Sequence, residues 1–149
     1  MKSRIRKALQ KCGEQDLDGL LVSLPSNISY LTHYPSRDSY LLISPHANTY
    51  FTDSRYTEEA KSRLKGTAII RKANGSVFKS IAEVCREQGM KRVGFEERYL
   101  ANAEYLKIQS YLKKNGRLVG THSIIENLRQ INHFVESHAC APLQHSNIR

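Results

Sequence analysis

Apolar residues along this chain recur at helical spacing in some stretches and run unbroken over four or five residues in others. Ile5, Ala8, Leu9 and Cys12 share one helix face, so residues about 3–12 predict an amphipathic helix that Gly13 is placed to end. Leu20 to Leu24 form a short apolar run without alternation, which predicts an interior strand covered on both faces. Pro25 closes that strand, and Ser26 is placed to cap a short helix carrying Ile28, Tyr30 and Leu31. Residues 33–39, His-Tyr-Pro-Ser-Arg-Asp-Ser, hold a proline and several turn formers and predict a loop. Tyr40 to Ile43 and Thr49 to Thr52 then read as two antiparallel strands joined by a hairpin loop.

The remainder alternates more regularly. A helix is expected from about Ser54 to Leu64, with Asp53 or Ser54 as its cap, acidic residues early, basic residues late and Gly66 just beyond. Thr67 to Ile70 predict a strand, Asn74-Gly75 a turn, and Val77, Phe78, Ile81, Val84 and Cys85 the inner side of a helix reaching Gln88. Gly89 closes that helix, and Lys91 to Phe95 predict the next strand. Asn102 to Lys114 predict a helix with Tyr105, Ile108 and Leu112 inward; Arg117 to Thr121 predict the last strand, and Ile124 begins a final helix. The expected class is α/β: one domain in which a mixed β-sheet is flanked by helices, the hairpin supplying antiparallel pairing and helical crossovers the parallel neighbours.

Composition fits this picture. The chain has 149 residues, of which 40% are hydrophobic and 25% charged, the make-up of an ordinary single globular domain. Its formal charge is +9, but the excess is spread evenly: 12 basic and 7 acidic residues lie in 1–75, and 11 and 7 in 76–149. Nucleic-acid binders concentrate charge on a face or stripe. Here the densest run is Lys2, Arg4, Arg6, Lys7 and Lys11 on one helix, which reads as a solvated face, so nucleic acid is not the expected partner. A small basic module for nucleic acid or another polyanion stays open as the alternative reading. Cys12, Cys85 and Cys140 leave one thiol over under any intramolecular pairing, which suits a reducing compartment. No apolar stretch reaches membrane-spanning length and no signal-like segment leads the chain, so a cytoplasmic protein is expected.

Candidate chemistry is sparse. Glycine-rich phosphate loops, a Gly-x-Ser-x-Gly elbow and a His-Glu-x-x-His pair are all missing. His133, His138 and His145 lie near Cys140, but their spacing matches no common zinc pattern. Cys85 belongs to an apolar helix side and reads as core. Asp53 with Arg55 could form a polar site, yet Asp53 is explained as well by helix capping. The loop with His33, Tyr34, Arg37 and Asp38 is where ionisable and aromatic groups crowd a turn between core elements, and loops on rigid scaffolds often carry function.

Several segments in fixed order resemble a known family. They are Asp18-Gly19-Leu20-Leu21-Val22, Ser26-Asn27-Ile28-Ser29-Tyr30-Leu31-Thr32, Ser39 to Ser44, Tyr50 to Ala60 (Tyr-Phe-Thr-Asp-Ser-Arg-Tyr-Thr-Glu-Glu-Ala), Lys91 to Glu96 and Glu126 to Ile131. Together they resemble the N-terminal domain of the creatinase/prolidase family, the Xaa-Pro aminopeptidases and dipeptidases. The resemblance implies a mixed-sheet domain with a ribonuclease-H-like arrangement over residues 1–131 that carries no catalytic or metal-binding residue. In the family, a following domain holds two divalent metals, commonly manganese, cobalt or zinc, and activates a water for attack on the Xaa-Pro bond. The N-terminal domain supports the dimer and restricts access to a neighbouring active site. For this chain the resemblance therefore implies no cofactor of its own and a homodimer or association with a family catalytic domain. It also implies a partner-facing or substrate-access set: His33, Tyr34, Arg37, Asp38, Arg55 and Tyr56.

Beyond Ile131 the resemblance breaks. Residues 132–149 keep no steady apolar period and contain Pro142, so they are expected to form a divergent, disordered tail rather than the family's linker helix. A frameshift or early stop in a gene for a longer enzyme is the expectation this break suggests. An independent enzyme built on Asp53, Arg55 and the 33–39 loop has little in the sequence to support it.

Overall fold

The computed structural model describes the backbone of residues 2–73 and 75–145 and the side chains of residues 3–73 and 75–135. Its strands are β1 (Gly19–Val22), β2 (Tyr40–Ile43), β3 (Thr49–Thr52), β4 (Ile69–Lys72), β5 (Arg92–Glu96) and β6 (Arg117–Thr121). They form one sheet in the order β4-β3-β2-β1-β5-β6. The pairs β1/β2 and β2/β3 are antiparallel, and β3/β4, β1/β5 and β5/β6 are parallel, so the sheet is mixed as expected.

Six α-helices stand among the described residues: α1 (Lys2–Glu14), α2 (Pro25–Thr32), α3 (Thr57–Arg63), α4 (Val77–Glu87), α5 (Asn102–Leu112) and α6 (Ile124–His145). Alternation along the strands sorts them into two layers. Leu20 and Val22 point to the face where Ile5, Ala8, Ile28, Leu31, Leu64 and Ile125 pack, so α1, α2, α3 and α6 share that face. Leu21, Leu42 and Phe51 point to the other, against Ile81, Cys85, Ile108 and Leu112 of α4 and α5. Each buried leucine, isoleucine or phenylalanine contributes about 1.5–3 kcal/mol, and both faces of β1 carry them. The unalternating run at residues 20–22 is therefore an interior strand.

The central pair β1/β5 is closed at both ends by a carboxylate. Before β1, Asp18 Oδ2 accepts the backbone N–H groups of Lys91 at 2.7 Å and Arg92 at 2.9 Å. After β5, Glu96 Oε1 accepts those of Ser23 at 2.7 Å and Leu24 at 2.9 Å. Beside Asp18, Gly19 is required by close approach: a Cβ there would collide with the carbonyl oxygen of Ile43 and the methyl of Met90.

Several boundaries differ from the expectation. Gly13 does not end α1, which runs to Glu14; the chain turns at Asp16, whose φ of 58° is a left-handed conformation that aspartate tolerates. Ser26 is not the cap of α2. Leu24 holds that position, Pro25 opens the helix, and the Glu96 carboxylate, distant in sequence, sits at its start. The third helix begins at Thr57 rather than Ser54, and neither Asp53 nor Ser54 caps it, because Arg55 takes the Asp53 carboxylate. Helix α5 ends at Leu112 and tightens into a 3-10 turn over Lys113–Asn115. The expected helix break after Ile131 is not seen: helical backbone continues to His145. Residues 124–141 contain no glycine or proline, so local hydrogen bonding carries the helix forward, and Pro142 falls within its last turn. Asn74 of the expected Asn-Gly turn lies outside the described residues, as do the side chains of His138, Cys140 and His145.

Candidate functional site

Loop 33–39 begins where α2 ends. His33 takes a left-handed conformation (φ 57°) and donates its N–H to the Ser29 carbonyl at 2.7 Å, which closes the helix and turns the chain outward. Tyr34 then drops into the core, 4% exposed, and meets Tyr50 of β3 edge-on with ring centres 5.9 Å apart. Arg37 and Asp38 stay at the surface, and Asp38 again has positive φ, at 45°. Ser36 and Ser39 are hydrogen-bonded to each other across the loop base.

From the β3–α3 connection, Arg55 reaches this loop. Its Nη2 lies 2.7 Å from Asp53 Oδ2 and 3.5 Å from Asp38 Oδ2, and its guanidinium lies 5.1 Å from the Tyr56 ring centre. The hydrogen-bonded Arg55 guanidinium holds the Asp53 carboxyl below the ordinary aspartate value. The Tyr34 hydroxyl is pushed up, first by burial and then by the nearby Glu59 carboxylate, which accepts its hydrogen bond. His33 is held below the usual imidazole value by desolvation and by the charge of Arg4.

The structure divides the expected set. Tyr34, Arg37 and Tyr56 line one cleft of about 190 Å³ together with Tyr50, Glu59 and Arg63. Arg63 stands over the Tyr34 ring at 5.4 Å. Among the described residues Arg37 has no hydrogen-bond or ion-pair partner. His33 does not line this cleft, Asp38 faces a different cavity, and Arg55 links the two rims through Asp38 and Tyr56. Glu59 and Arg63 escaped the sequence reading, although Tyr56, Glu59 and Arg63 fall at the spacing of one helix face and could have been found by it.

A second constellation joins residues quoted only as separate motif pieces. Glu96 Oε2 accepts the Asn27 side-chain N–H, and Asn27 Oδ1 in turn accepts Arg129 Nη1 at 2.9 Å. Asn27 and Glu96 are buried, 0% and 6% exposed. Burial pushes the Glu96 carboxyl up, while its three hydrogen bonds act the other way. This network ties the start of α2, the end of β5 and the first turns of α6.

Both described cysteines are buried core residues; burial pushes Cys12 to about 11 and Cys85 to about 12, so neither is poised as a thiolate. Among the described residues no three His, Cys, Asp or Glu side chains gather closely enough to hold a metal ion. The described residues therefore do not by themselves fit a metal pair, and no metal-dependent step is assigned to them. No helix among the described residues is long and apolar enough to cross a membrane.

Comparison with known proteins agrees with the fold. The family model described as "Creatinase/Prolidase N-terminal domain" matches residues 4–131. The uncharacterized peptidase YqhT of Bacillus subtilis (strain 168) is 30% identical over 128 residues, which cover 86% of this chain and 36% of that protein. Among solved structures, a Xaa-Pro dipeptidase from Bacillus anthracis superposes with a TM-score of 0.79 at 23% identity, over 86% of this chain and 35% of that one. A Xaa-Pro aminopeptidase structure from Streptococcus pyogenes gives 0.77 at 28% identity, over 85% of this chain and 95% of that one. The N-terminal domain of the cytoplasmic peptidase PepQ from Mycobacterium tuberculosis H37Rv gives 0.77 at 24%, over 85% and 98%. This chain belongs to the creatinase/prolidase N-terminal domain family. It spans about a third of the length of the curated relative it matches.

Proposed function

We propose that this domain is the non-catalytic, dimer-forming and substrate-access unit of a cytoplasmic Xaa-Pro metallopeptidase, with the chemistry residing in a domain of the kind the longer relatives add. The observation that carries this reading is the exposed rim made by loop 33–39 and Arg55-Tyr56. It sets an unpartnered guanidinium, Arg37, beside a cleft walled by tyrosines. Such a rim can meet a peptide's charged end or a neighbouring subunit while its supporting residue, Tyr34, stays fixed in the core. Family membership and the Xaa-Pro peptidases among the structural neighbours support the substrate class.

The test has two parts. The chain alone, supplied with manganese, cobalt or zinc, is expected to leave Xaa-Pro dipeptides and tripeptides intact. Fused ahead of the catalytic domain of a family relative, it is expected to support their cleavage. Chelator-sensitive turnover by the chain alone would overturn the non-catalytic assignment.

A further inference from the structure

The network of Glu96, Asn27 and Arg129 holds the arginine by one nitrogen. Arg129 Nη1 donates to Asn27 Oδ1 at 2.9 Å and to Ser26 Oγ at 3.3 Å. Nε and Nη2, the other edge of the guanidinium, have no hydrogen-bond partner among the described residues, and no described carboxylate pairs with them. Arg129 is half-buried, and the buried side-chain atoms that lack partners are those of Ser23, Asn48 and Thr52, so the free edge of Arg129 is open to solvent. Two parallel N–H groups on one guanidinium edge match the two oxygens of a carboxylate or a phosphate. Anchoring of Nη1 fixes that edge beforehand, which lowers the ordering cost of binding.

Arg129 lines a cavity of about 580 Å³ between α1, α2 and α6, together with Arg4, Tyr30, Glu126, Asn132 and His133. That volume falls in the range of small-molecule sites. Its walls are bonded to one another through Tyr30. Arg4 Nη1 donates to the Tyr30 carbonyl at 2.7 Å, and its guanidinium lies 4.2 Å from the ring centre. The Tyr30 hydroxyl donates to the Leu128 carbonyl at 3.3 Å and accepts the Asn132 side-chain N–H. The charge balance favours an anion: Arg4, Arg129 and protonated His133 are cations, Gln130 and Asn132 carry amide donors, and Glu126 is the one carboxylate among the described lining residues. Glu126 stands one helical turn before Arg129, yet the two form no ion pair, so Glu126 reduces the positive charge without covering the free edge. None of these residues lines the Tyr34–Arg37 cleft, and the reading above does not use them.

We propose that the cavity between α1, α2 and α6 binds the oxyanion group of a small molecule, a carboxylate or a phosphate ester, with the free edge of Arg129 as its anchor. Arg129 Nε–H and Nη2–H donate one hydrogen bond each to two oxygens of the guest. Arg4 and His133 add positive charge around it, and Glu126 opposes it.

Inorganic phosphate and acetate are the probes, each titrated at constant ionic strength into the isotopically labelled protein. The readout is the Arg129 Nε–H resonance, assigned by its disappearance in Arg129→Lys. At least one anion is expected to shift it saturably, with dissociation in the range of about 1–10 mM for so small a ligand. The tighter of the two tells a phosphate ester from a carboxylic acid as the natural source. Chloride and acetamide are expected to leave the resonance in place. Arg129→Lys should weaken binding about tenfold, followed on the backbone amides of Asn132 and His133, because lysine keeps the charge and loses the fork. Glu126→Gln should tighten binding about threefold by removing a like charge. It is the decisive variant, because a gain in affinity cannot be a folding defect. The proposal is overturned if neither anion gives a saturable shift up to about 100 mM, or if chloride or acetamide shifts the resonance as much. It is also overturned if Arg129→Lys binds like the unmodified chain, or if Glu126→Gln binds no more tightly. None of these outcomes depends on peptidase activity, so failure here leaves the substrate-access reading standing, and the reverse also holds.

Discussion

The two ends of the β1/β5 pair use the same device in opposite surroundings. At the start, Asp18 accepts two backbone N–H groups from the residues opening β5; at the finish, Glu96 accepts two from the residues leaving β1. Asp18 is exposed, whereas Glu96 is buried and shares its second oxygen with Asn27, which holds Arg129. Water can replace the first carboxylate more readily than the second, whose bonds to Ser23 and Leu24 are partly buried and whose bond to Asn27 is buried. Hydrogen-bond geometry alone thus says little about energetic weight, because the cost of losing a bond is set by what the abandoned groups meet next. The buried end is also where the two chains leave the sheet on opposite faces, toward α2 and toward α5.

Replacing the buried member should produce the largest effect. Glu96→Ala abandons the N–H groups of Ser23 and Leu24 and the Asn27 amide together, and is expected to lower the unfolding free energy by about 3–5 kcal/mol in urea titrations. A loss below about 1 kcal/mol, the size found for solvent-reachable hydrogen bonds, would mean that water enters the junction and the contrast with Asp18 collapses.

Glu96→Gln sharpens the same point through pH. Burial raises the Glu96 carboxyl in the folded chain above its unfolded value, so the native state holds a proton that the unfolded chain has already released. That contribution is complete below the ordinary glutamate range and is lost as pH rises through the elevated native value. The stability of the unmodified protein relative to Glu96→Gln should therefore fall with rising pH across that window. At neutral pH the variant should still be weaker by about 1–3 kcal/mol, because a glutamine amide must turn its N–H₂ toward one of the donors that Glu96 accepts. A difference that rises with pH would show that hydrogen bonding outweighs burial at this carboxyl.

Asp18→Ala should cost about 1 kcal/mol or less, since Lys91 and Arg92 can turn their freed N–H groups to solvent. Equal losses at Asp18 and Glu96 would remove burial as the deciding variable.

How much of this was legible depended on whether the cause was local. Strand β6 was read to its boundaries, and β1 was read as interior, because its apolar run records burial on both faces. The ends of α2 and α3 were misread because their determinants are not neighbours in sequence: Glu96 lies 72 residues from Leu24, and Arg55 competes for Asp53 in a way that composition does not disclose. The same limit applied to the site. Loop 33–39 stood out by composition, but that Tyr34 would be a buried support while Arg37 stayed free needed β3 and α3 in place. Glu96, Asn27 and Arg129 each sat in a quoted motif, and only folding brings the three motifs together.

The smallest stability effect, and the most informative about function, belongs to the loop rim. Arg37 has no partner among the described residues and Asp38 is exposed, its contact with Arg55 long at 3.5 Å. Alanine at either position should move the melting temperature by less than about 3 °C, the range expected when exposed charges are removed from a domain of this size. In a fusion with a family catalytic domain, the same substitutions should change the ratio of rates on Xaa-Pro dipeptides and longer peptides, because only the rim and not the core has been altered. Arg37→Ala should have the greater influence of the two, since its guanidinium borders the tyrosine cleft without an internal claim on it. A drop of many degrees with an unchanged rate ratio would place Arg37 with Glu96 among the residues that hold the fold, and the rim would then lose its standing as the functional edge.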